Sequence, residues 1–202
     1  MTPYLARKKE EKRQRLLDSA HSLFVAHGIS GTSISQICEK AGVAKGTFYL
    51  YFQNKEEISR ELNIQLSHDL LEDAYNYVIE NNQQDFVENV IVMAHYMVTR
   101  FKEDPDMVRM MNRDFHWQVT EEMFMEEDEP LINNVREQIL SYSRNTGLST
   151  HVLLIRFFSG IAMLFSVCYS CIIDHQPVDI DEAEKEFPTM IRAILTAGDN
   201  QI

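Results

Sequence analysis

Apolar residues recur along almost the whole chain at spacings of three and four, the period of an amphipathic helix. In the first segment Leu16, Ala20, Leu23, Phe24 and His27 form one stripe behind a highly charged, solvated leading end, Arg7 to Arg15. Gly28 is placed to stop that helix. Ser33 and Gln36 then make a capping box, which satisfies free amides at a helix start. A short stripe of Ile34, Ile37, Cys38 and Ala41 follows and ends at Gly42, a residue suited to a left-handed cap. After the turn Gly42-Val43-Ala44 a second short helical run spans Lys45 to Phe52. Asn54 with Glu57 opens a long helix from Lys55 to about Glu80.

Further helices are expected at 84–103, 105–126 with a break, 131–144, 150–174 and 180–197. Pro105 and Pro130 lie near helix starts, where a missing N–H is tolerated. Asn145-Thr146-Gly147 reads as a stop and Gln176-Pro177 as a turn. No alternating strand pattern and no internal repeat is visible. The expected class is all-α.

Two short helices joined by a glycine-containing turn have the form of a helix-turn-helix. Such a unit offers its second helix to the DNA major groove, which is wide enough to admit it. The bland alternative is a short helical hairpin inside a bundle. The second helix separates the two. Val43, Phe48 and Phe52 can face inward, but Lys45, Thr47, Tyr49 and Tyr51 cannot all do so. An ammonium and three hydroxyls are left to project, and Gly46 permits close backbone approach. Phosphates and base edges suit that face.

A net charge of −12 argues against a nucleic-acid partner until it is divided along the chain. Residues 1–60 hold ten Lys/Arg and six Asp/Glu, whereas residues 61–202 hold nine and twenty-five. A small basic end on a large acidic body implies two parts with different partners. Phosphate fits the first, because cationic contacts release condensed counterions. The 202 residues, 45% hydrophobic and 25% charged, allow a core of useful size in one or two domains. With 7 Gly and 5 Pro the chain is neither collagenous nor loop-dominated. Met1-Thr2-Pro3-Tyr4 leads into a basic run and not an apolar one, so a cytoplasmic location without a secretory signal is expected. The uncharged stretch Phe157–Ile173 is seventeen residues long. That is short of the roughly 20 a bilayer requires, and a buried helix is expected there in place of a membrane span.

The stretch from Ile34 to Glu57, with Glu39-Lys40-Ala41-Gly42-Val43 at the turn and Lys45-Gly46-Thr47-Phe48-Tyr49-Leu50-Tyr51-Phe52-Gln53-Asn54-Lys55 after it, resembles the DNA-binding core of the TetR family of bacterial transcription regulators. Leu23-Phe24 and Gly28 before it fit the same pattern. The close likeness covers about residues 10–60; residues 61–202 match only in length and helical character. The resemblance implies a three-helix helix-turn-helix domain over 1–56 and a larger helical ligand-binding and dimerisation domain over 57–202. It puts Lys45, Gly46 and Leu50 at base edges, and Thr47, Tyr49 and Tyr51 on phosphate or sugar. It has Thr32 and Ser33 holding phosphate near the start of the second helix, and Lys55 doing likewise at the start of the fourth. Ala44 departs from the Ser often found there, so the third helix lacks a side-chain cap worth about 1 kcal/mol. Cys38 replaces a common Ala, another small residue.

Other constellations weigh little. Cys168-Tyr169-Ser170-Cys171 is a C-x-x-C inside an apolar helix, read as core and not as a redox pair. The seven histidines lack metal-ligand spacing, and neither a cofactor nor a catalytic set stands out. The middle of the chain is rich in Met and aromatic residues, either core or an adaptable pocket. As a pocket its walls are Met93, Tyr96, Met97, Met110, Met111, Phe115, Trp117 and Phe158, with His95 and Arg109 as polar anchors, for a mainly apolar effector. The six acids within Glu121–Glu129 are a solvated segment or an attraction for a cationic ligand. The expected protein is a homodimer through the helices at 150–174 and 180–197. It binds a palindromic double-stranded operator as a repressor released by a small molecule. A ligand-independent regulator, a helical scaffold and an enzyme are the rivals.

Overall fold

The computed structural model describes residues 3–81, 85–111 and 130–197. Among the described residues every regular element is helical. The chain divides into two compact units, Met1–Leu66 and Ser67–Ile202. The first unit continues past the boundary expected after residue 56. The reason lies in the opening turns of the fourth helix, where Ile58 and Leu62 are buried.

In the first unit α1 spans Pro3–Gly31 but is broken at Gly28, whose φ of 72° and ψ of 163° are non-helical. The glycine interrupts the helix where the sequence expects a stop, and a last turn resumes beyond it. Leu16, Leu17, Ala20 and Phe24 are buried. His27 is exposed, so the apolar stripe ends before it. The helix α2, Ile34–Ala41, carries the complete capping box: Gln36 N–H donates to Ser33 Oγ, and the Gln36 side chain accepts from Ser33 N–H. Gly42 closes α2 at φ 64°, ψ 40°, its N–H directed at the Cys38 and Glu39 carbonyls. The next helix, α3, is shorter than expected, Lys45–Phe48. Thereafter the chain tightens into turns, with Leu50 N–H on Thr47 O at 3.2 Å and Tyr51 N–H on Phe48 O at 2.9 Å. Bonds of this i→i+3 type are how short helices end. They let Phe48 and Phe52 both be buried, their ring centroids 5.7 Å apart. Asn54 caps α4, Lys55–Glu80, by accepting from Glu57 N–H at 2.8 Å.

The second unit holds the rest of α4 with α5 (Phe86–Glu103), α6 (Pro105–Met110), α7 (Pro130–Thr146), α8 (Thr150–Ile172), α9 (Ile180–Ala183), a 3-10 turn (Glu184–Glu186) and α10 (Phe187–Thr196). Its main core joins Leu70, Ala74 and Val78 to Met97 and Phe101 of α5, Phe165 and Cys168 of α8, and Phe187 and Ile191 of α10. Val135, Ile139, Leu153 and Phe157 pack a second cluster between α7 and α8. The helix expected at 180–197 is thus three pieces. Pro188 has no N–H to return to Glu184, so a continuous α-helix cannot pass through it. The continuation of α6 toward residue 126 and the acids of Glu121–Glu129 lie outside the described residues.

The apolar α8 is buried on one side only. Leu153, Phe157, Leu164, Phe165, Cys168 and Cys171 are covered, while Val152 and Ile155 are exposed. Its mean hydropathy of 2.0 and length suffice to cross a membrane, yet only 28% of the window is buried in the chain. The buried helix expected here is covered by its own chain on one face only, and the other apolar face of α8 is open.

Candidate nucleic-acid interface

The helix pair α2–α3 is fixed by local chemistry before any partner is considered. Gly42 supplies the left-handed turn, and Val43 N–H donates to Cys38 O at 3.0 Å. Arg15 reaches from α1 to the end of α2, its Nε donating to Ala41 O at 3.0 Å and its Nη2 to Gly42 O at 3.1 Å. Those carbonyls are the ones a helix end leaves without partners. Arg13 lies over the Phe52 ring, 5.7 Å from its centroid, and pairs with Glu61. α1 therefore braces the chain on both sides of α3. Sequence reading placed both arginines in a solvated charged run. The available signal is their position just before Leu16 and Leu17, at the edge of the buried stripe.

Ala44 precedes α3 with no side-chain cap, as its sequence implies. Lys45, Gly46, Tyr49 and Leu50 are exposed, Leu50 at 76% and Tyr49 at 52%. Thr47 and Tyr51 are half-buried. Phe48 is fully covered and meets the Tyr49 ring edge-on at 5.5 Å. The arrangement is thus an outward plate of one ammonium, hydroxyls and a leucine, standing on a phenylalanine root. A Cβ added at Gly46 would meet nothing within 4 Å. The protein's own packing does not require glycine there. Burial pushes the Cys38 thiol up, with the Lys45 ammonium pulling the other way.

Three expected phosphate holders are engaged within the chain. Thr32 is 2% exposed, its hydroxyl directed at Leu23 O (3.1 Å) and Gly28 O (2.9 Å). The threonine thus bridges the two sides of the non-helical turn at Gly28; its side chain is not placed to hold phosphate. Ser33 Oγ is occupied in the capping box, though Ser33 itself is exposed. Lys55 Nζ donates to Thr32 O at 2.9 Å, which leaves two ammonium protons for an outside acceptor.

The expected effector wall is only partly assembled. Met93 and Met97 line an apolar cavity with Phe157, Ile161 and Leu164 of α8 and Ile191 and Leu195 of α10, but its volume is about 20 Å³, room for one water. Met111 lines a separate cavity of about 120 Å³ with Val108, Phe165 and Tyr169. Met110 is buried and lines neither. Tyr96 stacks on Tyr77 at 5.0 Å, and Phe158 meets Phe157 at 5.9 Å. His95 and Arg109 are corrected as anchors. Both are exposed: His95 Nδ1 lies 2.7 Å from Glu184 Oε1, and Arg109 pairs with Asp106. Each falls between buried neighbours, Ala94 and Met97 or Val108 and Met110, and therefore points away from the core. Phe115 and Trp117 lie outside the described residues.

Cys168 and Cys171 are buried free thiols, and burial raises Cys168 to about 12, with Cys171 adding to it. They pack in the core. Among the described residues no group of three or more His, Cys, Asp or Glu gathers in a way that could hold a metal ion.

Comparison with known proteins agrees with this anatomy. Residues 16–62 match the family described as bacterial regulatory proteins, tetR family. A relative from Bacillus subtilis, the uncharacterized HTH-type transcriptional regulator YdgC, is 31% identical over 102 residues, 50% of this chain and 52% of its own. The probable acrEF/envCD operon repressor of Escherichia coli is 30% identical over 88 residues, 42% of this chain and 40% of its own. The matches thus span about half the length of these relatives or less. The structure of a transcriptional regulator FadR from Bacillus subtilis in complex with stearoyl-CoA superposes with a TM-score of 0.60 at 16% identity, covering 91% of this chain and 98% of that one. That likeness is one of fold.

Proposed function

We propose, for a chain that by its N-terminal domain belongs to the TetR family, the role of a DNA-binding transcription regulator that acts in the cytoplasm. It reads double-stranded DNA through the plate of Lys45, Gly46, Thr47, Tyr49, Leu50 and Tyr51. The exposed plate at α3 carries this reading: it puts an ammonium and a large apolar residue into solvent over a rigid root. Lys45 donates to base edges and Leu50 meets apolar base surface, while Thr47 and the tyrosines position the domain on phosphate. The relatives are regulators, and no enzymatic role is assigned.

The regulator is a homodimer. A single α3 reads too few base pairs for specificity, whereas two copies related by a dyad read a palindrome. The open apolar face of α8, with Val152 and Ile155, and the exposed Met190 of α10 supply the surface a second copy covers.

Repression released by a small apolar ligand is the finer reading. One relative is named an operon repressor, and a neighbour of the same fold is described in complex with stearoyl-CoA. In this chain Met93 and Met97 offer an adaptable lining between α5, α8 and α10. A ligand there must first widen a cavity of about 20 Å³. α4 runs from Lys55 at the DNA-binding end to Leu70, Ala74 and Val78 in the body's core. A ligand shifts DNA affinity only by its preference between two settings of that helix.

The experiment is to sequence duplex fragments retained by the purified protein and then titrate an enriched site with long-chain apolar compounds. A palindrome with half-sites about one helical turn apart is expected. Retention of no sequence above background defeats the DNA reading. Retention that no compound weakens defeats the ligand switch alone.

A further inference from the structure

The geometry points to a second DNA contact outside the helix-turn-helix: the leading turns of α1 form a basic arm that lies on backbone phosphates. From Tyr4 to Lys12 every residue but Ala6 is exposed, so at least two helical turns stand free of the unit's core. Arg7 to Arg15 contains no apolar residue, and burial cannot be what holds it helical. Local pairs do that work: Arg7 with Glu11 at 3.0 Å, Arg13 with Glu10 at 3.7 Å, and Gln14 with Asp18 at 2.9 Å.

Those pairs do not use up the charge. Among the described residues Lys9 and Lys12 have no carboxylate partner, and the Lys8 ammonium sits only over the Tyr4 ring, 4.8 Å from its centroid. The base of the arm also fixes where it starts. Arg13 packs on Phe52, just after α3, and Arg15 holds the carbonyls of Ala41 and Gly42, just before it. The free lysines therefore lie within two helical turns of a root seated beside α3. At 1.5 Å per residue, Tyr4 to Lys12 reaches roughly 12 Å, some three or four base pairs of backbone.

The occupant is the phosphate backbone and not a lipid surface. A membrane-seated basic helix needs an apolar face to insert, and this one has only Tyr4 and Leu5 at one end. It is also not a reader of bases: three lysines on flexible stems act as point charges. The arm adds affinity equally on all sequences and steepens the salt dependence. This rests on the DNA-binding reading above, which the test can fail separately.

The test compares the wild-type chain with K8Q/K9Q/K12Q and K8R/K9R/K12R on an enriched duplex and on a scrambled one, over a range of salt. All three residues are exposed, and circular dichroism checks that the fold is retained. The glutamine variant is expected to lower the slope of log K against log salt by about 0.9 for each lysine engaged, up to about 2.7 per arm. The fold-loss should be the same on both duplexes, and the arginine variant should keep the wild-type slope. Equal slopes for wild type and the glutamine variant overturn the arm, as does an arginine variant that behaves like glutamine. Lysine-dependent co-sedimentation with phosphatidylserine vesicles and an unchanged DNA slope would reassign the arm to a membrane. A wild-type chain that binds neither duplex overturns the DNA reading itself, and the arm with it.

Discussion

Lys55 Nζ donates to the backbone carbonyl of Thr32 at 2.9 Å, tying the first turn of α4 to the residue just before the α2 cap. Both residues read from sequence as holders of phosphate. The structure makes them partners of each other, with Thr32 turned inward onto Leu23 and Gly28. Replacing Thr32 by Val keeps the shape and removes the hydroxyl. We expect a loss of about 1–2 kcal/mol, the usual cost of leaving buried carbonyls short of a donor. DNA affinity well below the melting temperature should be unchanged, because the Lys55 bond is to the main chain. A melt by circular dichroism beside a DNA titration checks both, and a selective loss of DNA binding would return Thr32 to the interface.

Gly46 and its neighbour Ala44 should separate stability from binding. Nothing lies within 4 Å of a Cβ at Gly46, and glycine in a helix costs up to about 1 kcal/mol relative to alanine. Gly46→Ala is expected to leave the melting temperature equal or higher and to weaken DNA binding by blocking close approach. Ala44→Ser adds the missing cap and should stabilise by about 0.5–1 kcal/mol without altering the fold. If Gly46→Ala binds like wild type, the glycine serves neither the fold nor the DNA.

The helix-turn-helix was legible because its signals are local. The capping box of Ser33 and Gln36, the left-handed Gly42 and the Asn54 cap each act within four residues, and each stands where the sequence puts it. The body was less legible because its pairings are distant. Nothing near His95 in sequence announces Glu184, and nothing near Arg15 announces Ala41. Periodicity marked Met93 and Met97 as inward but could not say how closely α5, α8 and α10 pack around them, and they leave about 20 Å³. The break just before Pro188 was readable in principle, since a proline inside a helical pattern removes a donor.

Lys102 links α5 to the segment before α10, with Asp181 Oδ1 at 2.5 Å and Glu184 Oε2 at 2.8 Å. Its hydrogen bonds to Asp181 and then Glu184 hold the ammonium above its ordinary value, and Lys102 holds Asp181 below the usual carboxylate range. A lowered Asp contributes stability above its unfolded value, lost as pH falls through the folded one. A raised Lys contributes below its unfolded value, lost as pH rises through the folded one. Lys102→Met should therefore lower the melting temperature by a nearly constant amount between about pH 5 and 9, and by less below about pH 4. An offset that does not change on acidification would remove Asp181 from the account.

All three cysteines are buried, and the Cys168 thiol is pushed up to about 12. The thiolate is the reactive form, so the native chain should resist a disulfide reagent at pH 8 and release three equivalents once unfolded. Rapid labelling of Cys168 and Cys171 in the native protein would reopen their redox role.

The open face of α8 makes the dimer testable at one residue. Ile155 is 67% exposed on a helix otherwise rich in buried Leu, Phe and Cys. Full burial of such a side chain stabilises by about 1.5–3 kcal/mol, and a dyad counts it twice. An aspartate there would carry a charge into the same interface from both copies. Wild type should scatter light as twice 23.6 kDa at micromolar concentration, and Ile155→Asp as the single chain. The variant's own fold should survive, because Ile155 leaves the monomer core untouched. Its DNA binding should fall on the palindrome far more than on an isolated half-site, since only the palindrome uses both recognition helices. A variant that remains dimeric would move the interface away from this face of α8, and a wild-type monomer that still prefers the palindrome would remove the dimer from the mechanism.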